Sequence, residues 1–118
     1  MKYFILLISI LIISTACAKT GEINPEVMVD NNTILIDVRT KDEFKSGHLE
    51  KAIHIPYTEI EEKINSITKD TNQDIVLYCR SGRRSGIAQK TLLKMGYKNA
   101  VNGGSYKSLK INKTEQKK

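Results

Sequence analysis

A chain of 118 residues has room for one domain and one core, since domains commonly run from about 100 to 200 residues. Hydrophobic residues at 40% and charged residues at 27% exclude a disordered chain or a membrane bundle for the bulk of the sequence. The formal charge of +6 does not read as a nucleic-acid footprint, because the densest lysines fall in a terminal stretch, 110–118, that reads as a solvated tail.

The N-terminus departs from this average. Lys2 precedes an apolar run over 3–8 and 10–13, followed by the small residues Ser14, Thr15, Ala16, Cys17 and Ala18, which is the layout of a secretory signal peptide over 1–18. The apolar stretch, about 11 residues, is too short to span a hydrocarbon core of about 30 Å as a helix. Ala16, Cys17 and Ala18 fit ordinary signal-peptidase cleavage before Lys19, while 14–17 resembles a bacterial lipobox, with signal 1–16 and a lipidated Cys17, although Ser14 stands where such boxes usually carry an aliphatic residue. Both alternatives predict export, to the periplasm, as a soluble or lipid-anchored protein whose contact with the membrane is limited to the signal or the anchor. Loss of Lys2 lowers the formal charge from +6 to +5. Cys79 is then the one thiol that can be free, since no internal disulfide can form.

Pro25 suits the first turn of a short helix over 26–30, with Asn24 as its cap. Residues 33–38 are apolar, rich in β-branched side chains and end in Asp37 and Arg39, so they predict a buried parallel strand whose end faces a crevice. Thr40 and Glu43 have capping-box spacing, opening a helix that stops at Gly47. A short strand over 52–56 follows. Thr58 and Glu61 repeat the capping box, and Ile60, Ile64 and Ile67 share one face of a second helix running to about Thr68. After a turn over 70–74, residues 74–78 form the third strand and lead straight into a loop over 79–85. The next helix is expected to bury Ile87, Ala88, Thr91, Leu92 and Met95 and to stop at Gly96. Residues 99–101 give a last short strand, Gly103 and Gly104 a tight turn, and 105–111 a short helix. Alternating strands and helices imply an α/β fold: a central parallel sheet with helices on both faces.

The loop carries the chemistry. Successive amides between a strand end and a helix N-terminus converge on one point and favour an anion there, which can draw a cysteine pKa down from about 8.5 to between about 3.5 and 7.5. Gly82 permits the closed backbone, and Arg80, Arg83 and Arg84 place guanidinium groups where an anionic substrate would approach. A buried cysteine beside a solvated basic turn is the plainer alternative, but the strand, loop and helix context favours a reactive thiol.

Cys79, Arg80, Ser81, Gly82, Arg83 and Arg84, followed by Ser85, resemble the active-site loop of rhodanese-like sulfurtransferases. Asp37, Val38 and Arg39 resemble their DVR strand, Glu43 with Gly47, His48, Leu49, Ala52, Ile55 and Pro56 their E-x-x-x-GH-I-x-x-A-x-x-IP segment, and Gly103 and Gly104 their late double glycine. The likeness covers about 24–109, between the leader and the tail. It implies a single rhodanese-like α/β domain in which Cys79 takes sulfane sulfur from a small anionic donor such as thiosulfate and passes it to cyanide or a thiol. It further implies that the amides of 80–85 cradle the persulfide, that Arg80 and Arg84 bind the donor, and that Asp37, Arg39 and His48 hold the loop and sheet ends together. Many members carry a Trp where this chain has Ser108, which changes a pocket wall. His54, inside a short strand, reads as structural.

Two other classes compete. Cysteine phosphatases and arsenate reductases need an arginine six positions after the cysteine, where Ser85 stands, and a loop shorter by one residue encloses a smaller anion. A non-catalytic binding module of the same fold would typically lack the cysteine. Two scattered histidines and one mature cysteine give no ligand spacing, so no metal or other cofactor is expected, and neither is a nucleic-acid partner. The protein is expected to act as a monomer.

Overall fold

Strands buried on both faces are apolar throughout, and their successive side chains feed two separate cores. The computed structural model of the chain describes residues 29–115. The elements are β1 (Ile34–Asp37), α1 (Lys41–Ser46), β2 (Ile53–His54), a 3-10 turn (Tyr57–Glu59) leading into α2 (Ile60–Ile67), β3 (Ile75–Cys79), α3 (Arg83–Lys94), β4 (Ala100–Ser105) and α4 (Tyr106–Glu115). The strands form one sheet in the order β2-β1-β3-β4, every neighbouring pair parallel.

Alternation along β1 and β3 assigns the cores. Ile36, Ile75, Leu77 and Cys79 face one side, where α2 contributes Ile60 and Ile64 and α3 contributes Ala88 and Leu92. Leu35, Val76 and Tyr78 face the other, covered by Leu49 and by Leu109 of α4. The expected α/β architecture, with helices on both faces of a parallel sheet, is therefore observed.

The Thr40 cap forms as expected, with Thr40 Oγ1 accepting from Glu43 N and the Glu43 side chain accepting from Thr40 N. The second capping box does not form. Tyr57 N donates to Val38 O at 3.0 Å and Glu59 N to Pro56 O at 2.8 Å, so the chain coils directly off the end of β2 and Thr58 lies inside the first turn, where it cannot cap. Ile60 and Ile64 are buried, but Ile67 is 36% exposed because it ends α2. Ile87 is also corrected. Ser85, Ala88 and Leu92 set the buried face of α3, and Ile87 lies about 200° around the helix from Ser85 at about 100° per residue, leaving it 41% exposed.

Gly96 ends α3 region as expected, at φ 99°. Gly103 and Gly104, expected as a turn, lie within β4. The pairing steps from Leu77 with Asn102 to Tyr78 with Gly104, so Gly103 is the extra residue of a bulge. A Cβ on Gly103 would sit 2.7 Å from Val76 Cγ1 and 3.1 Å from Leu109 Cδ1, so glycine there lets α4 reach the sheet. Helix α4 continues to Glu115, into the stretch expected as a tail. The expected leader over 1–18 and the Asn24 cap lie outside the described residues, as do 116–118. Val29 and Asp30 lead into a turn rather than ending a helix.

Candidate active site at the end of β3

Because β3 is buried along its whole length, its last residue enters the loop from the core side: Cys79 is 0% exposed. The chain turns through Arg80, Ser81 and Gly82, and Gly82 takes φ 93°, a left-handed conformation that favours glycine. That turn swings the Gly82 amide back to donate to Cys79 Sγ at 2.9 Å. Burial pushes the Cys79 thiol up, but the Ser85 hydroxyl and the amides of Ser85, Ser81 and Gly82 together outweigh it and bring the thiol below its ordinary value of 9.0. The loop is thus built to hold negative charge on sulfur.

A polar rivet fixes the loop from behind. Asn102 Nδ2 donates to Gly82 O at 3.0 Å, while Asn102 Oδ1 accepts from Ser85 Oγ at 2.6 Å and from Gly104 N at 3.0 Å. Ser85 Oγ also lies 3.4 Å from Cys79 Sγ and 3.1 Å from Gly82 O. A hydroxyl has one hydrogen, so Ser85 serves Asn102 Oδ1, Gly82 O and the sulfur in competition, with Asn102 the shortest contact.

The three arginines divide. Arg84 grips Glu43 with both arms of its guanidinium, Nη1 to Oε1 at 2.7 Å and Nη2 to Oε2 at 3.1 Å. This pairing holds the Glu43 carboxyl down at about 2. Arg80 and Arg83 are exposed, and no partner for either occurs among the described residues.

At the neighbouring strand end the polar groups are closed on one another. Arg39 Nη2 donates to Asp37 Oδ2 at 2.6 Å and to Gly47 O at 2.6 Å, and Arg39 Nε and the Arg39 amide add bonds to the same carboxylate. The guanidinium lies 4.6 Å from the Tyr106 ring centre and 5.7 Å from that of Tyr78. The Tyr78 hydroxyl accepts from Leu49 N at 3.1 Å. His48 stands apart from this clamp, with Nδ1 2.8 Å from Phe44 O and its ring stacked on Phe44 at 3.7 Å, so it finishes α1. His54 Nε2 lies 2.8 Å from Arg39 O, a structural contact. Ser108 lies against Ser105, Oγ to Oγ 2.8 Å, at the start of α4.

Sequence reasoning missed Asn102 and saw Glu43 only as a capping residue and motif position. Asn102 lies just past the strand expected over 99–101 and next to the double glycine, and only the structure shows it to be a polar residue inside β4. Among the described residues no group of three His, Cys, Asp or Glu side chains could hold a metal ion, and no helix is long and apolar enough to cross a membrane.

Residues 26–110 match the model of the rhodanese-like domain family. The chain is 36% identical over 80 residues to the thiosulfate sulfurtransferase PspE of Escherichia coli (strain K12), covering 68% of this chain and 77% of that protein. It is 33% identical over 81 residues to the thiosulfate:glutathione sulfurtransferase of Saccharomyces cerevisiae, covering 59% of this chain and 58% of that one. Among solved structures, a rhodanese with anions from E. coli superposes with a TM-score of 0.63 at 37% identity, over 64% of this chain and 89% of that chain. The family match takes in β1, the Cys79 loop and the bulge of β4 together: this chain belongs to the rhodanese-like domain family.

Proposed function

We propose that the protein is a sulfurtransferase that carries sulfane sulfur on Cys79. The observation that carries this reading is the Cys79 sulfur, fully buried yet 2.9 Å from the Gly82 amide and lowered in pKa by the loop that surrounds it. The Cys79 thiolate attacks the outer sulfur of thiosulfate, an S–S bond forms, and sulfite leaves with the electron pair of the broken bond. Cyanide or a thiolate then attacks the outer sulfur of the persulfide, and the Cys79 thiolate leaves in turn. A soft thiolate suits this displacement far better than an alkoxide would. The amides that stabilise the thiolate also stabilise the persulfide anion.

Arg80 and Arg83 are the cations free to meet an anionic donor, and Arg84, held by Glu43, borders the loop with its charge already paired. Ser85 stands where a cysteine phosphatase needs its arginine, and Arg84 is engaged elsewhere, which disfavours phosphate ester hydrolysis. A non-catalytic module is disfavoured by the presence of Cys79. Export is part of the same proposal, supported by the 1–18 pattern.

Mass spectrometry of the mature protein after thiosulfate treatment tests both parts. A gain of one sulfur atom on Cys79, with thiocyanate released on adding cyanide, is the expected result. Phosphate ester hydrolysis with no sulfur transfer from any donor overturns it. The same spectrum reports an N-terminus at Lys19 or at a lipidated Cys17, and an intact Met1 on protein from the cytosol overturns export.

A further inference from the structure

The charges of this chain are segregated. No Asp or Glu stands between Asp74 and Glu115, a stretch that contains the Cys79 loop and the whole of α3. Within it the solvent-facing residues of α3 are ordered. At about 100° per residue, Arg83, Ile87, Lys90 and Lys94 fall within about 60° of one another, on the side opposite Ala88 and Leu92. All four are exposed, and none of the three cations has an acidic partner among the described residues. Arg80, also exposed, adds a further cation to the loop that precedes α3. An unpaired basic stripe with one exposed apolar residue, Ile87, therefore runs about 16 Å along α3 away from the reactive thiol.

We propose that this stripe docks the sulfur acceptor, and that the acceptor is a protein with an acidic, flexible segment ending near a cysteine. The inference rests on the sulfurtransferase reading above and names the acceptor class for that site. Charge complementarity selects an acidic partner. Burial of Cys79 selects a slender one, because a sulfur on a residue that is 0% exposed cannot be met by a broad, flat surface. A bilayer or a nucleic acid duplex would satisfy the charge but presents no thiol. In the transfer, the acceptor thiolate attacks the outer sulfur of the Cys79 persulfide, the new S–S bond forms on the acceptor, and the bond to Cys79 breaks with its electrons returning to Cys79. The acceptor proton goes to solvent.

An extended chain covers about 16 Å in about five residues, which defines the probe. It is a synthetic peptide of about five Asp or Glu residues, a short Gly-Ser linker and a terminal cysteine, compared with a peptide in which Ser replaces the acids. At low salt the acidic peptide should accept sulfur with kcat/KM roughly tenfold or more above the neutral one. The advantage should vanish in Lys90→Glu/Lys94→Glu and in about 1 M salt, where the screening length is ~3 Å. Transfer from thiosulfate to cyanide should be unchanged in the variant. Should the reversal variant fail to fold, Lys90→Gln/Lys94→Gln should still reduce the advantage. Equal rates for the two peptides, or an advantage that survives both variants, overturns the proposal. So does binding to phosphatidylglycerol vesicles or duplex RNA that depends on Lys90 and Lys94 without any peptide preference. Absence of thiosulfate-to-cyanide transfer in the unmodified protein would instead overturn the sulfurtransferase reading, so the two failures are distinguishable.

Discussion

Strands β1 and β3 lie side by side, with Asp37 in register with Tyr78, yet they finish in opposite ways. At the end of β1, the Asp37 carboxylate and the Arg39 guanidinium are each met several times over, by one another, by the Gly47 carbonyl and by two tyrosine rings. At the end of β3, donors converge on one sulfur, and Arg80 and Arg83 beside it have no partner among the described residues. Polar groups that satisfy one another make scaffold. Donors held together with no internal acceptor equal to them make a site.

Removing the acceptor from the open end has the largest expected effect. Cys79→Ser should lose sulfur transfer down to background while the thermal unfolding transition is retained. A serine hydroxyl is a poor nucleophile toward sulfane sulfur, and among the described residues the side-chain partner of Cys79 Sγ is the Ser85 hydroxyl, which is no general base. Retained transfer in a thiosulfate-to-cyanide assay would show that the thiol is not the carrier.

Breaking the closed end should instead destabilise the fold. Asp37→Ala leaves the Arg39 guanidinium buried without its counter-ion, and loss of one partner of a buried pair costs about 3–5 kcal/mol. Urea denaturation should record that loss, with a lowered midpoint. Under conditions where the variant is folded, the alkylation rate of Cys79 should match the unmodified protein, because the carboxylate acts on the frame and not on the sulfur.

Glu43→Gln works between the two ends, converting a paired arginine into a free one. Glu43 is held at about 2, below its ordinary 4.5, so its contribution to stability is full above about pH 4.5 and is lost as pH falls toward 2. The variant should lose that part of the acid dependence. The freed Arg84 should join Arg80 and Arg83, and KM for thiosulfate should fall by a few-fold. An unchanged KM would mean that Arg84 cannot reach the donor even when released.

Much of this was legible in the sequence because it depends on local rules. The T-x-x-E spacing at Thr40 gave a real cap, the apolar run before Asp37 a real strand, and the cysteine before Gly82 a real amide loop. What failed depended on neighbours distant along the chain. Thr58 has the same capping pattern as Thr40, but the 3-10 turn that begins beside Val38 took it out of the capping position. Ile87 has the right character for the core and lies on the wrong side, because Ser85 must face Cys79. The double glycine looked like a turn, and its actual role, admitting Leu109 to the sheet beside Val76, needs α4 in place to be seen. Arg84 could be named from its motif, but its capture by Glu43 spans 41 residues and leaves no local trace.

The smallest expected effect tests how the open end shares its protons. Ser85 Oγ is 2.6 Å from Asn102 Oδ1 and 3.4 Å from Cys79 Sγ, so with the thiol protonated its hydrogen belongs to Asn102. When the thiolate forms, turning the hydroxyl toward sulfur exchanges a neutral hydrogen bond, worth about 1 kcal/mol, for one to a charged group, worth about 1.5–3 kcal/mol. Asn102 Oδ1 keeps the Gly104 amide in either case. Ser85→Ala should therefore raise the Cys79 pKa, but only by the difference between those two bonds, since the amides of Ser85, Ser81 and Gly82 remain. The rate of iodoacetamide alkylation against pH measures it. The unmodified protein should inflect below 9.0, and the variant should inflect higher. An inflection that does not move would mean that the hydroxyl stays with Asn102 throughout, leaving the backbone amides alone to hold the thiolate.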